Sequence, residues 1–256
     1  MLLRSITKHV REQNWFAVGL DFFIVVVGIL IAFQISNWNT ARNNSERAHE
    51  ALVSILEDIK NDRSSLRTGL SFAQTNIDAS NFALIQSGLK GVDTLTMPWG
   101  EVPALGGSEY ELGSSLKTDV SMSTQLWKQA SVRYHPNPSD AAFTSLIAAG
   151  ELSLIKDADL IRELQRYGQL WVGLENANES TYRPFRDRLV FVGQDYGLSP
   201  FSDVENAELI ALLEQNPRLA STLRTMLEYS VLHREQIEQV DRLAKVLIER
   251  LEGELK

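Results

Sequence analysis

The sequence predicts an all-α protein: one N-terminal transmembrane helix, then an elongated helical body with two long amphipathic helices and an irregular insertion. Three observations predict it. The stretch WFAVGLDFFIVVVGILIAFQISNWN, Trp15 to Asn39, is long and apolar enough to cross a bilayer. Two later stretches, residues 50–86 and 217–253, repeat apolar residues in a four-three rhythm. Between them, residues 91–115 turn to Gly, Pro and Ser with short apolar pieces, the texture of an excursion from helix.

Residues 1–14 form a short basic segment. Arg4, Lys8 and Arg11 stand against Glu12, a net of +2. Leu3, Ile6 and Val10 fall at helical spacing, which fits a short helix lying on the inner leaflet; a plain positive-inside flank explains the same charges.

Residues 15–38 form the transmembrane helix. Phe16 to Ile35 is 20 residues with one charge, Asp21, and one amide, Gln34. A helix of that length spans about 30 Å, the thickness of the hydrocarbon core. Phe22 to Phe33 is unbroken and apolar, and Trp15 and Trp38 bracket the span as interfacial anchors. A cleaved signal peptide shares the basic start. Here the apolar core runs on too long, and only Asn39 and Ala41 offer small-x-small spacing after it. The reading is a retained anchor. Lys and Arg are slightly richer before the span than in its exit flank, where Arg42 and Arg47 precede Lys60. That bias puts the N-terminus in the cytoplasm of a bacterial inner membrane and the C-terminal body in the periplasm. The cytoplasmic end is too short to hold an output domain, so signalling would need a partner.

Asp21 lies about 9 Å along the helix axis from Trp15. An aspartate costs about 2.5–3.5 kcal/mol at mid-bilayer and less towards the edge, which the twelve apolar residues after it can offset. Ala17, Asp21, Gly28 and Ala32 share one helix face, and Gly28 with Ala32 makes a small-xxx-small pair. This face is the expected contact with another membrane protein or with a second copy.

Residues 39–90 form a long helix. Leu52, Leu56, Ile59, Arg63, Leu66, Leu70, Ala73, Ile77, Ser80 and Leu84 keep a coiled-coil-like heptad rhythm with polar breaks at Arg63 and Ser80. Gly69 weakens it, and Gly88 and Gly91 are candidate stops. Residues 91–120 form the irregular insertion, with a short hairpin. Residues 121–216 form a helical subdomain. SMSTQLWKQASVRY reads as helix, and Ser139 caps a helix to about Ala149, which Gly150 ends. Asp157 opens a helix to about Asn176, another covers Ser180 to Val192, and Asp203 caps Val204 to Gln215. Residues 217–256 form a long C-terminal helix, with Asn216 as cap and Pro217 first. Its seam is Leu219, Leu223, Met226, Ser230, His233, Ile237, Val240, Ala244, Leu247 and Leu251. The matching rhythms predict an antiparallel pair within the chain; self-association of either helix is the alternative.

Composition excludes several chemistries. There is no cysteine, so disulfides, thiolate metal sites and cysteine nucleophiles are ruled out. The net charge of −8, concentrated in the body, argues against nucleic acid as a partner. His9, His49, His135 and His233 lack zinc-ligand spacing. No phosphate-binding glycine loop or G-x-S-x-G occurs. EDIKND and KDADL read as solvated acidic faces. No catalytic, cofactor-binding or metal-binding residue is predicted, no cofactor is expected, and an enzyme is the least favoured class. YHPNPSDAAFTSLIAAGELSLI suggests a binding site, but the stronger reading is structural: Pro136 and Pro138 stiffen a helix entry, and Phe143, Leu146 and Ile147 face a core. Trp99, Trp127 and Trp171 read as core anchors.

Two stretches carry a resemblance. One is VVVGILIAFQISNWN followed by ARNNSERAHEALVSILEDIKNDRSSL; the other is NPSDAAFTSLIAAGELSLIKDADLIRELQRY. Together, over about a third of the chain, they resemble a bacterial family of uncharacterised single-pass membrane proteins marked by a VVxGILIAxQIxNWN span and a later NPSxxxxxSLIxxGxLxLIKDxxL segment. The chain departs from the pattern at Thr40, where an acidic residue is usual, and at Asp140–Ala141, where Asn-Gly is usual. The resemblance implies a membrane protein without an assigned activity. The expected function is an interaction role, as accessory subunit or scaffold of a membrane complex or as a homo-oligomer. A periplasmic ligand-binding or sensing module acting through a partner is the runner-up. The lipid bilayer is the expected environment.

Overall fold

The structure, a computed structural model, describes residues 15–97, 109–112, 126–139 and 141–256, without the side chains of 15–18. The expected inner-leaflet helix, Trp99, Asp140 and the side chains of Trp15 and Ala17 therefore lie outside the described residues. The elements are α1 (Trp15–Gln86), β1 (Thr94–Thr96), β2 (Glu109–Glu111), α2 (Leu126–Ser131), α3 (Ala141–Ala148), a 3-10 turn (Leu152–Leu154), α4 (Ala158–Ala177), a π-helical turn (Asn178–Tyr182), α5 (Arg183–Gln194), α6 (Asn206–Gln215) and α7 (Pro217–Glu254). Among the described residues the fold is all-α with one small hairpin. Contacts divide the chain into two units, Met1–Glu50 and Ala51–Lys256.

The first unit is the N-terminal part of α1. It is long and apolar enough to cross a membrane, with a mean hydropathy of 2.2 over its most apolar window and none of that window buried. Phe22 is 70 % exposed and Phe33 60 %. Asp21, Gly28, Ala32 and Trp38 are exposed, and a Cβ at Gly28 would meet nothing within 4 Å.

In the second unit, α1 from Ala51 onward packs antiparallel to α7. Arg63 pairs with Asp241 at 3.0 Å, Lys60 with Glu252 at 2.7 Å, and Arg234 donates to Gln74 at 2.8 Å. All ten seam positions expected on α7 are buried, and all ten on α1 are buried or half-buried. α1 also buries a second stripe at every seventh residue: Ile55, Asp62, Gly69, Asn76 and Ala83. This stripe meets the segments that follow the insertion. Asn76 donates its amide to the carbonyls of Gln129 and Val132, the latter at 2.8 Å. Gly69 does not interrupt the helix. A Cβ there would come within 3.1 Å of Pro136 and 3.2 Å of Ile237, so its missing side chain lets a loop and α7 approach closely.

The core has two parts. In one, Trp127 of α2, Leu189 of α5 and Leu209 of α6 close over Ile77 and Leu84 of α1 and the first half of α7. The hairpin joins it through Tyr110, opposite Leu95, and Arg234 holds the hairpin by donating to the carbonyls of Glu111 and Leu112. In the other, Leu160, Leu164 and Trp171 of α4 pack with Ile55, Ile59 and Leu66 of α1 and Ile237 to Leu251 of α7.

Several local expectations are corrected. The cap seen on α3 is not Ser139: the Ala142 amide donates to Asp58 of α1, at 2.9 Å. Ile147 is 46 % exposed, so only Leu146 and part of Phe143 turn inward. The expected break after Asn176 is absent, because one π-helical turn carries α4 into α5. Asp203 pairs with Lys128 instead of capping a helix, and α6 starts at Asn206. Asn216 makes no N-cap bond to α7; its amide donates back to Leu212 and closes α6. Asp157 does cap α4, accepting from Asp159 and Leu160. α1 ends at Gln86, with Gly88 at φ +69° and the Leu89 amide returning to the Leu84 carbonyl.

Candidate functional site

Asp58 and Asp62 stand one turn apart on α1, so both point to the same side. They hold the segment Asn137–Ala142. The Ser139 amide donates to Asp62, and the Ala142 amide to Asp58. Neither aspartate is the solvated face expected of EDIKND: Asp62 is 2 % exposed and Asp58 half-buried. A buried carboxylate is tolerable when neutral donors surround it. Tyr167 of α4 supplies a third donor, its hydroxyl reaching Asp62 at 2.8 Å. Burial, then the charge of Asp62, pushes the Tyr167 phenol up, so it stays a neutral donor.

These groups wall a pocket of about 360 Å³, within the range of small-ligand sites. Its floor is apolar and buried: Ile55 and Ile59 from α1, Leu164 and Trp171 from α4. Its mouth is exposed, with Asn137, Pro138, Val172 and Glu175. Gly168 faces it, and a Cβ there would meet nothing within 4 Å. The Trp171 indole N–H approaches the Tyr167 hydroxyl without hydrogen-bond geometry, and among the described residues no other acceptor takes it. A buried donor left unpaired costs about 1–3 kcal/mol.

Glu175 leads from the pocket to a polar cleft lined by Arg133, Asn178 and Arg186. His135 contacts Glu175 at 2.7 Å and, through its other nitrogen, His233 at 3.4 Å. His233 is 1 % exposed and Tyr182 packs on it. Burial lowers its pKa well below the usual histidine value, and Arg133 and His135 lower it further. Burial also lowers His135, despite Glu175. Arg133, against the Tyr182 ring, is brought down to about 10 by burial. The separation of 98 residues between His135 and His233 hides this contact from any spacing rule. Among the described residues no group of three or more ligating side chains could hold a metal ion.

The two stretches that carry the family resemblance meet at this pocket, one through Asp58 and Asp62, the other through Asn137–Ala142 and Tyr167. The expected contact face on the span, Asp21, Gly28 and Ala32, is open, but lies in the other unit. Trp127, expected as a core anchor, is one: it is fully buried and donates to the Ser199 carbonyl at 2.6 Å. Trp171 is buried too but also lines the pocket. Sequence reasoning missed Asp58, Asp62 and Tyr167. A signal was present for Asp62, which occupies the second seven-residue stripe of α1. No family model, curated protein or solved structure matches the chain.

Proposed function

We propose that this chain is a single-pass protein of a bacterial inner membrane whose periplasmic body is a ligand-binding module acting through a partner. The observation that carries it is the pocket. It has an apolar buried floor, an exposed mouth and polar groups converging from three separated segments, the arrangement by which ligand sites orient what they hold. The anchor reading is supported by the outward apolar surface of α1 before Trp38. The basic residues ahead of the span support the orientation.

Thermal unfolding of the full-length protein in an uncharged detergent, screened against small molecules of mixed charge, tests this. A compound present at 100 times its dissociation constant stabilises the folded state by about 2.7 kcal/mol. At least one class should raise the melting temperature of the wild type and not of Gly168→Leu, whose side chain fills the pocket. No stabilisation by any class overturns the reading.

An accessory or scaffolding role is a second reading, favoured by a separate observation: the open Asp21, Gly28 and Ala32 face of the span. A small-xxx-small pair beside a carboxyl group suits close approach of another membrane helix. The two roles are compatible, since the pocket and the span face lie on different parts of the chain.

A further inference from the structure

The polar cleft beside the pocket, about 310 Å³ in volume, holds three arginines in unequal circumstances. Arg183 pairs with Glu179 at 2.7 Å, and Arg186 with Asp187 at 2.9 Å. Glu175 is engaged by His135. Glu175 and Glu179 are exposed at the rim, where water screens them. Arg133 is different. Its Nη2 donates to the Asn178 side-chain oxygen, and its guanidinium lies 5.7 Å from the centre of the Tyr182 ring. Both partners are neutral. A π-helical turn, a device frequent at functional sites, brings Asn178 and Tyr182 to it. Among the described residues Arg133 forms no ion pair, and its Nη1 is buried without an acceptor. Burial draws its pKa down to about 10, so the guanidinium keeps its charge at neutral pH after losing much of its hydration. A desolvated cation with neutral neighbours gains strongly from an anion brought to it.

We infer that this cleft binds the carboxylate of a small polar ligand at Arg133. A carboxylate matches one guanidinium in charge and in planar shape, and it supplies the acceptor that Nη1 lacks. Asn137, exposed at the rim, offers its amide to the polar body. The carboxylates of Glu175, Glu179 and Asp187 repel the second charge of a dianion such as phosphate. The cleft is a site apart from the apolar pocket, and the inference does not rest on what the pocket holds.

The test is a ligand-observed nuclear magnetic resonance titration of the full-length protein in an uncharged detergent, at neutral pH and low ionic strength. Lactate, lactamide and 2-hydroxypropylammonium are matched probes of three charges, with inorganic phosphate beside them. Lactate should bind about tenfold or more tightly than lactamide, with the ammonium weakest. Arg133→Gln keeps an amide to donate to Asn178 and should remove the preference for lactate over lactamide. Should it not fold, Glu175→Gln, at the exposed rim, carries the charge test: it should tighten lactate and leave lactamide unchanged. Gly168→Leu, which fills the neighbouring pocket, should leave lactate binding intact. Equal affinity for lactate and lactamide, no binding of lactate, or phosphate bound more tightly than lactate would overturn the inference. So would a lactate affinity that fails to rise in Glu175→Gln. Loss of lactate binding in Gly168→Leu would seat the ligand in the apolar pocket and overturn the cleft as its site.

Discussion

One helix, α1, carries two apolar regions with opposite fates. Between Leu20 and Trp38 the large apolar side chains point outward, Phe22 at 70 % exposure and Ile29 at 64 %. Between Ala51 and Ser87 most of them fall in stripes and are buried, Leu66 fully and Ile77 to 1 %, with Phe72 and Ile85 left exposed. Mean hydropathy already sets the span apart, at 2.2 over its most apolar window, and the distribution of apolar residues around the helix explains the two fates. A helix apolar on every side has no polar face to give to water, so its stable surrounding is lipid or protein on all sides. A helix apolar in stripes can bury them against neighbours and leave Glu57, Lys60 and Arg67 outside.

The comparison is broken most strongly by placing a charge in each region. Ile237→Asp puts a carboxylate into the α1–α7 seam, at a fully buried position against Gly69, and should cost about 4 kcal/mol or more. Circular dichroism should show the body unfolded or melting far lower. Ile29→Asp in the span should leave that melting unchanged and weaken membrane insertion by about 2.5–3.5 kcal/mol, read as a larger non-inserted fraction. A body that melts normally with Asp at 237 means the seam is misplaced.

A smaller effect comes from removing volume. Leu66→Ala, fully buried in α1, should cost about 2–5 kcal/mol. Leu30→Ala, 57 % exposed in the span, should leave the denaturant midpoint of the body unchanged. Equal losses at the two positions would show that the regions do not differ as described.

Acid sharpens the picture of the buried half. His233 is neutral in the fold with a depressed pKa, so below about pH 6.5 the unfolded chain binds a proton that the folded chain refuses. Stability is therefore complete above the unfolded pKa and falls as pH drops from about 6.5, by up to about 1.4 kcal/mol per pH unit for one such group. His135, lowered in the same direction, steepens the slope. Melting curves between pH 7 and 5 should show this dependence, and His233→Gln should flatten it. A wild type indifferent to pH in that window would contradict the burial of the pair.

The smallest expected effect on folding concerns the span face. Asp21→Leu and Gly28→Leu should leave the melting of the body untouched but reduce crosslinked assemblies in mild detergent, while Val26→Leu, on another face, should not. Assembly unchanged in both variants would leave the span an anchor alone.

The heptad rhythm, the seam residues of α1 and α7, the stop at Gly88 and the cap at Asp157 were all legible in the sequence. Each depends on residues close together in the chain, where spacing stands for geometry. Boundaries slipped where a distant group competes for a cap: Asp58 does for α3 what Ser139 was expected to do, and Lys128 draws Asp203 away from α6. The sequence by itself determined the helical class, the apolar span and which faces of the long helices turn inward, because periodicity records burial. Only the tertiary structure decided the pocket. Its contacts join Asp62 to Ser139 across 77 residues and to Tyr167 across 105, and bring His135 to His233 across 98. The seven-residue stripe marks the face on which Asp62 lies, but no local pattern encodes what its carboxylate meets there. That depends on the donors another segment brings to it, and those donors arrive only when the helices pack.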